Sequence, residues 1–104
     1  MRPDALILAI DHGTSGVKPA LVTPEGEVIA SVAEPTSLRV LPGGGAEQDP
    51  EEWWAALVKG TRRLLADTGV DPARVIAVGC SSTFSTTVAV DAEGRTLAPA
   101  LTWL

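Results

Sequence analysis

The stretch Leu6-Ile7-Leu8-Ala9-Ile10-Asp11-His12-Gly13-Thr14-Ser15-Gly16-Val17-Lys18-Pro19-Ala20-Leu21-Val22 decides the fold. The apolar run 6–10 ends in a carboxylate, and a second apolar run starts at Val17. Two glycines and two hydroxyls fill the turn between them, so the segment reads as two strands joined by a polar hairpin. An acid at a strand end can hold a hydrated Mg²⁺. The backbone N–H groups and hydroxyls of Gly13, Thr14 and Ser15 suit phosphate oxygens, and Lys18 adds a charge of the sign a polyphosphate requires. The plainer alternative is an ordinary turn, because Asp and Gly are common turn residues.

Outward from the hairpin, Thr23-Pro24-Glu25-Gly26 is a turn and 27–33 a third strand, so the chain opens as a β-meander. A loop is expected over 35–45, including the triple glycine 43–45, which lacks the preceding strand a phosphate cradle needs. Asp49 is an N-cap, Pro50 fits the first helical position, and Glu51 and Glu52 complete a capping-box pattern. Trp53, Trp54, Leu57, Val58, Leu64 and Leu65 recur at helical spacing, and Gly69 is the C-cap. The adjacent Trp53 and Trp54 cannot both face the core, so one is expected inside and one partly exposed. Helix capping accounts for the acids at 47, 49, 51 and 52, although Glu47 or Gln48 could reach the cleft. One capped turn follows at 71–74.

Val75-Ile76-Ala77-Val78-Gly79-Cys80 is apolar on both faces, the pattern of a central buried parallel strand, with Cys80 an apolar filler. Residues 86–90 read as a fifth strand, and 96–104 as an extended segment. The order is therefore β-β-β-α-β-β. A right-handed crossover through the helix sets the strand at 75 parallel to the first. Their carboxyl ends then share one edge, where open α/β sheets bind ligands. Asp11 and Ser81-Ser82-Thr83-Phe84-Ser85 meet there.

Composition narrows the function classes. A chain of 104 residues is one domain or part of one, and 45% apolar content excludes disorder. A net charge of −5 argues against a general nucleic-acid binder. No apolar run approaches a membrane span, the start Met1-Arg2-Pro3-Asp4 is unlike a secretory leader, and a lone cysteine fits a reducing compartment. A cytoplasmic protein without membrane or nucleic-acid partners is expected. The sole histidine, His12, is given no catalytic role.

Three segments resemble the N-terminal part of the FGGY family of carbohydrate kinases. The first is Asp11-His12-Gly13-Thr14-Ser15-Gly16-Val17-Lys18, similar to the family's phosphate hairpin. The second is Ala46-Glu47-Gln48-Asp49-Pro50-Glu51-Glu52-Trp53-Trp54, and the third runs from Val78-Gly79-Cys80-Ser81-Ser82-Thr83 through Val90-Asp91 to Pro99-Ala100-Leu101-Thr102-Trp103. The resemblance implies a ribonuclease-H-like, actin-like ATPase fold, with residues 1–104 forming an incomplete first lobe. The rest of that lobe and the second lobe would lie beyond Leu104.

It also implies ATP and Mg²⁺, with phosphoryl transfer to a sugar or polyol hydroxyl by the full-length parent. Asp11, Gly13, Thr14, Ser15 and Lys18 would bind phosphate, Asp11 acting on Mg²⁺ through water. Ser82, Thr83, Phe84 and Ser85 would face the substrate. The aspartate base would lie beyond Leu104, so the fragment alone is expected to be inactive. Thr83-Phe84-Ser85-Thr86 stands where glycerol kinases carry Gln-Arg-Glu-Thr and xylulose kinases a Gln-Met-His-Gly-like segment. That disfavours glycerol and leaves the sugar unnamed. A non-catalytic actin-like module binding nucleotide or protein is the alternative. Truncation at Trp103-Leu104 is expected to expose apolar surface and favour a homodimer.

Overall fold

The computed structural model describes residues 3–104; Met1 and Arg2 lie outside the described residues. Strands β1 (Leu6–His12) and β2 (Gly16–Val22) form the expected antiparallel hairpin, with Asp11 opposite Lys18 and His12 opposite Val17. β3 (Val28–Ser31) continues the meander, and the two-residue β4 (Glu34–Pro35) takes over its place beside Gly16 and Val17 of β2. Pro19 sits in β2 where β3 gives way to β4, and its carbonyl accepts the Val32 N–H at 3.1 Å. A proline is tolerated there because pairing on that side is already broken.

The span expected to be loop contributes more. β5 (Arg39–Val40) and β6 (Ala46–Gln48) pair antiparallel around the glycine turn, where Gly43 and Gly44 take positive φ. Together with β8 (Ala100–Leu101) they form a second small sheet in the order β5-β6-β8. Helix α1 (Pro50–Thr68) starts and stops as its caps dictate. Asp49 accepts the Glu51 N–H, and Gly69 at φ 67 ends the helix with its N–H on Leu65. The reciprocal half of the capping box is not made, because the Glu52 carboxylate accepts the Ser37 N–H instead. Ala56, Gly60 and Leu64, spaced four apart, form the buried stripe of α1. Leu6, Leu21 and Leu64 form one core cluster, while Ile10, Val17 and Ala56 form another beneath the hairpin.

A 3₁₀ turn over Pro72–Arg74 leads into β7 (Val75–Ser81), which pairs parallel with β1. The main sheet runs β3-β2-β1-β7, the mixed sheet expected of an actin-like lobe. Two expectations are corrected. β7 is an edge strand rather than a buried central one, so Ile76, Val78 and Cys80 are exposed, because no described strand or helix covers it. Residues 86–90 form no strand of the main sheet. They touch the second sheet through the isolated bridge Thr87–Leu101, while the bridge Val90–Thr96 closes a local turn.

Candidate functional site

The parallel pairing of β1 with β7 sets Asp11 level with Ser81. The Ser81 hydroxyl donates to Asp11 Oδ1 at 3.3 Å, so the two strand ends meet at one polar edge. On the other side, Lys18 Nζ lies 3.8 Å from Asp11 Oδ2. A Cβ at Gly13 would come within 3.1 Å of that ammonium, which places the Lys18 charge over the turn itself. Lys18 thus faces the hairpin and pairs with its carboxylate, and both side chains remain open to solvent.

The turn is tight: the Gly13 N–H donates to Gly16 O at 2.9 Å. Gly16 is demanded by sterics, since a Cβ there would fall 2.4 Å from the Glu34 carbonyl oxygen on β4. Behind the turn, the Gln48 amide donates to Thr14 O at 2.7 Å and to Ser37 O at 3.2 Å, and its oxygen accepts the Trp53 indole N–H at 3.2 Å. Trp53 also stands edge-on to His12, with ring centroids 4.5 Å apart, whereas Trp54 is largely exposed. Burial holds the His12 pKa below 6.5, against a smaller opposing pull from Asp11. His12 is therefore a neutral packing group at neutral pH.

Residues 82–85 follow β7 at the same edge. The Thr83 hydroxyl donates to His12 O at 3.2 Å, fastening this segment to the hairpin. Ser82 and Ser85 are exposed, Ser85 at a positive φ of 49, and Phe84 is 77% exposed. The structure thus gathers Asp11, Gly13, Thr14, Ser15, Lys18 and Thr83 around one edge and leaves Phe84 facing solvent.

Two further residues join them. The Trp103 indole N–H reaches the Thr14 hydroxyl at 3.4 Å, and Gln48 holds the Thr14 carbonyl. No sequence signal marks Trp103 as a neighbour of Thr14, since 89 positions separate them. Among the described residues no cluster of three or more carboxylate, histidine or cysteine ligands occurs, and Asp11 is the one acidic residue of the 6–22 hairpin. That suits Mg²⁺, which keeps most of its waters and takes one or two carboxylates plus phosphate oxygens. No helix of the described residues is long and apolar enough to cross a membrane.

Known proteins share the sequence pattern and the fold of this chain. Residues 6–104 match the FGGY family of carbohydrate kinases, N-terminal domain. A xylulose kinase of Staphylococcus epidermidis is 37% identical over 98 residues, covering 94% of this chain and 20% of the relative. A glycerol kinase of Thermus brockianus is 34% identical over 98 residues, covering 93% of this chain and again 20% of the relative. Among solved structures, a xylulose kinase from Brucella ovis superimposes with a TM-score of 0.83 at 27% identity, over 92% of this chain and 20% of that one. The chain thus spans about a fifth of the length of these relatives.

Proposed function

The chain belongs to the FGGY family of carbohydrate kinases, and from that premise we propose that its parent protein transfers a phosphoryl group from ATP to a hydroxyl of a small sugar or polyol. The observation that carries the reading is the convergence of Asp11, Lys18 and Ser81 at the carboxyl ends of two parallel strands, around a turn of small residues. In-line phosphoryl transfer is catalysed mainly by positioning and charge stabilisation, and this edge has the groups for both. Gly13, Thr14 and Ser15 offer N–H groups and hydroxyls to phosphate oxygens. Lys18, already poised over the turn, exchanges its contact with Asp11 for the substrate's negative charge. Asp11 would hold Mg²⁺ through water, and the cation would supply further neutralisation of phosphate charge. The base that takes the sugar proton is assigned to none of these residues.

Ser82, Thr83 and Ser85 supply hydroxyls on the sugar side, and Phe84 and Trp103 supply apolar faces for a carbon skeleton. Relatives at similar identity include both xylulose and glycerol kinases. Overall similarity therefore does not choose the substrate, and the segment at 83–86, which disfavours glycerol, leaves the sugar to the assay.

The test is a panel of ketoses, polyols and aldonic acids with Mg-ATP, read as ADP release, on the product of the whole reading frame. One or more are expected to be phosphorylated, with Asp11→Ala lowering kcat by about 10²- to 10³-fold. Phe84→Asp is expected to raise the sugar KM by roughly tenfold or more while leaving the ATP KM nearly unchanged. Nucleotide binding without turnover on any of the panel would favour the binding module instead.

A further inference from the structure

Gln48 performs no chemistry in this reading, yet it is the most heavily engaged polar side chain behind the hairpin. It is 3% exposed. Both amide protons are spent on carbonyl oxygens, of Thr14 and Ser37, and its own oxygen takes the Trp53 N–H. These partners fix which end of the amide faces the turn. They also come from three separate places: the hairpin, the approach to β5, and the first turns of α1. Through Trp53 the same chain of contacts reaches His12, so the turn is fastened at positions 12 and 14.

We propose that Gln48 is the positioning residue of the phosphate hairpin, a role that rests on the kinase reading of residues 11–18. A peptide unit is planar and trans, so its C=O and N–H point in opposite directions. Drawing the Thr14 carbonyl inward to Gln48 turns the Ser15 N–H outward, away from the helix. Among the described residues no acceptor takes that N–H. Gln48 thereby aims an open backbone donor at the place a phosphate oxygen would occupy, in advance of binding. A pre-aimed donor acts on the transition state without the reorganisation that a mobile loop would need.

The amide's donor role can be separated from its bulk. Gln48→Glu keeps the shape but sets a carboxylate against two carbonyl oxygens. The charged groups around it are Glu47 with its partner Arg39, then Asp49 and Glu52, with His12 on the far side of Trp53. Burial and three neighbouring carboxylates outweigh one paired arginine and raise the pKa of the introduced acid. When protonated, that acid can again donate to Thr14 O; when ionised, it repels it. Gln48→Leu cannot donate at any pH.

The experiment measures kcat, both KM values and pH profiles for wild type, Gln48→Glu and Gln48→Leu in the product of the whole reading frame. Hydrogen exchange of the residue 13–16 amides is followed alongside. At neutral pH both variants are expected to lose about tenfold or more in kcat, with the sugar KM within about twofold. Relative to wild type, Gln48→Glu recovers as pH falls and Gln48→Leu does not. Exchange accelerates at the Gly13 amide, whose N–H is otherwise held by Gly16 O, in both variants at neutral pH.

A Gln48→Glu profile parallel to wild type, or Gln48→Leu with wild-type kcat, overturns the proposal. If wild type phosphorylates nothing, the kinase reading fails and exchange decides Gln48 alone. Acceleration confined to the turn then supports the fastening, and unchanged exchange overturns it.

Discussion

At the scale of single residues, two glycines of one turn have opposite tolerances. Gly13 has an ordinary φ, and a Cβ there would meet mainly the mobile end of Lys18 at 3.1 Å. At Gly16 the obstacle is the backbone of Glu34 and Pro35, with the nearest atom at 2.4 Å, and relief requires β4 to leave β2. Gly16→Ala is therefore expected to cost roughly 1–3 kcal/mol, while Gly13→Ala stays within about 0.5 kcal/mol. Urea unfolding of the two variants checks this, and equal losses would show that β4 is not the rigid wall behind the turn. The difference is invisible in the sequence, where both glycines belong to one motif and β4 lies 18 positions after Gly16. The reach of Gln48 toward the cleft was legible, but its hold on the turn was hidden for the same reason: its carbonyl partners lie 34 and 11 positions away.

At the scale of elements, α1 anchors the ribbon that carries the hairpin. Gly60 lets the helix approach closely, since a Cβ there would meet Glu34 Cγ and Pro19 Cγ, each at 3.1 Å. In that seam the Glu34 carboxylate, 5% exposed, takes Arg63 at 2.7 Å and Lys59 at 3.6 Å. Arg63 also donates to Ala33 O. Removing Arg63 leaves a buried acid with one distant, mobile cation, so Arg63→Ala is expected to cost about 1–3 kcal/mol. Because the loss comes from a stranded charge, Glu34→Gln combined with Arg63→Ala should lose less than the two single changes added together. Strict additivity in a denaturant double-mutant cycle would remove the pair from the seam's energetics. The helix itself was legible because Asp49, Pro50 and Gly69 are local signals. The parallel course of β7 was legible from crossover handedness. The second sheet was not, because strands of two and three residues show no period. The exposure of β7 was not either: an apolar run states what a strand is suited to, not what covers it.

At the scale of the whole molecule, the radius of gyration is 15.6 Å, with extents of 52 × 28 × 22 Å. A self-contained domain of this length would measure about 13 Å, so the chain is extended for its size. The largest fully buried side chains are only Leu6, Leu21, Leu64, Val17 and Pro19. Against this small core stands an open apolar groove of about 400 Å³ between α1 and the sheet, lined by Leu8, Ile10, Trp54, Leu57, Val58 and Val78. Beside it, Ile76 projects from the same edge strand, whose outer side has no described partner, and Trp103 and Leu104 are half-exposed at another corner. Apolar surface beside a free strand edge is a template for pairing with a second copy. The 104-residue chain produced by itself is therefore expected to associate with rising concentration, as followed by light scattering. Val78→Lys places a charge in the groove at a position already mostly open to water, so it should weaken association with little cost to the fold. A chain that stays folded and monomeric across the same range would mean that this edge resists pairing unaided. Association that Val78→Lys leaves unchanged would move the contact to Trp103 and Leu104.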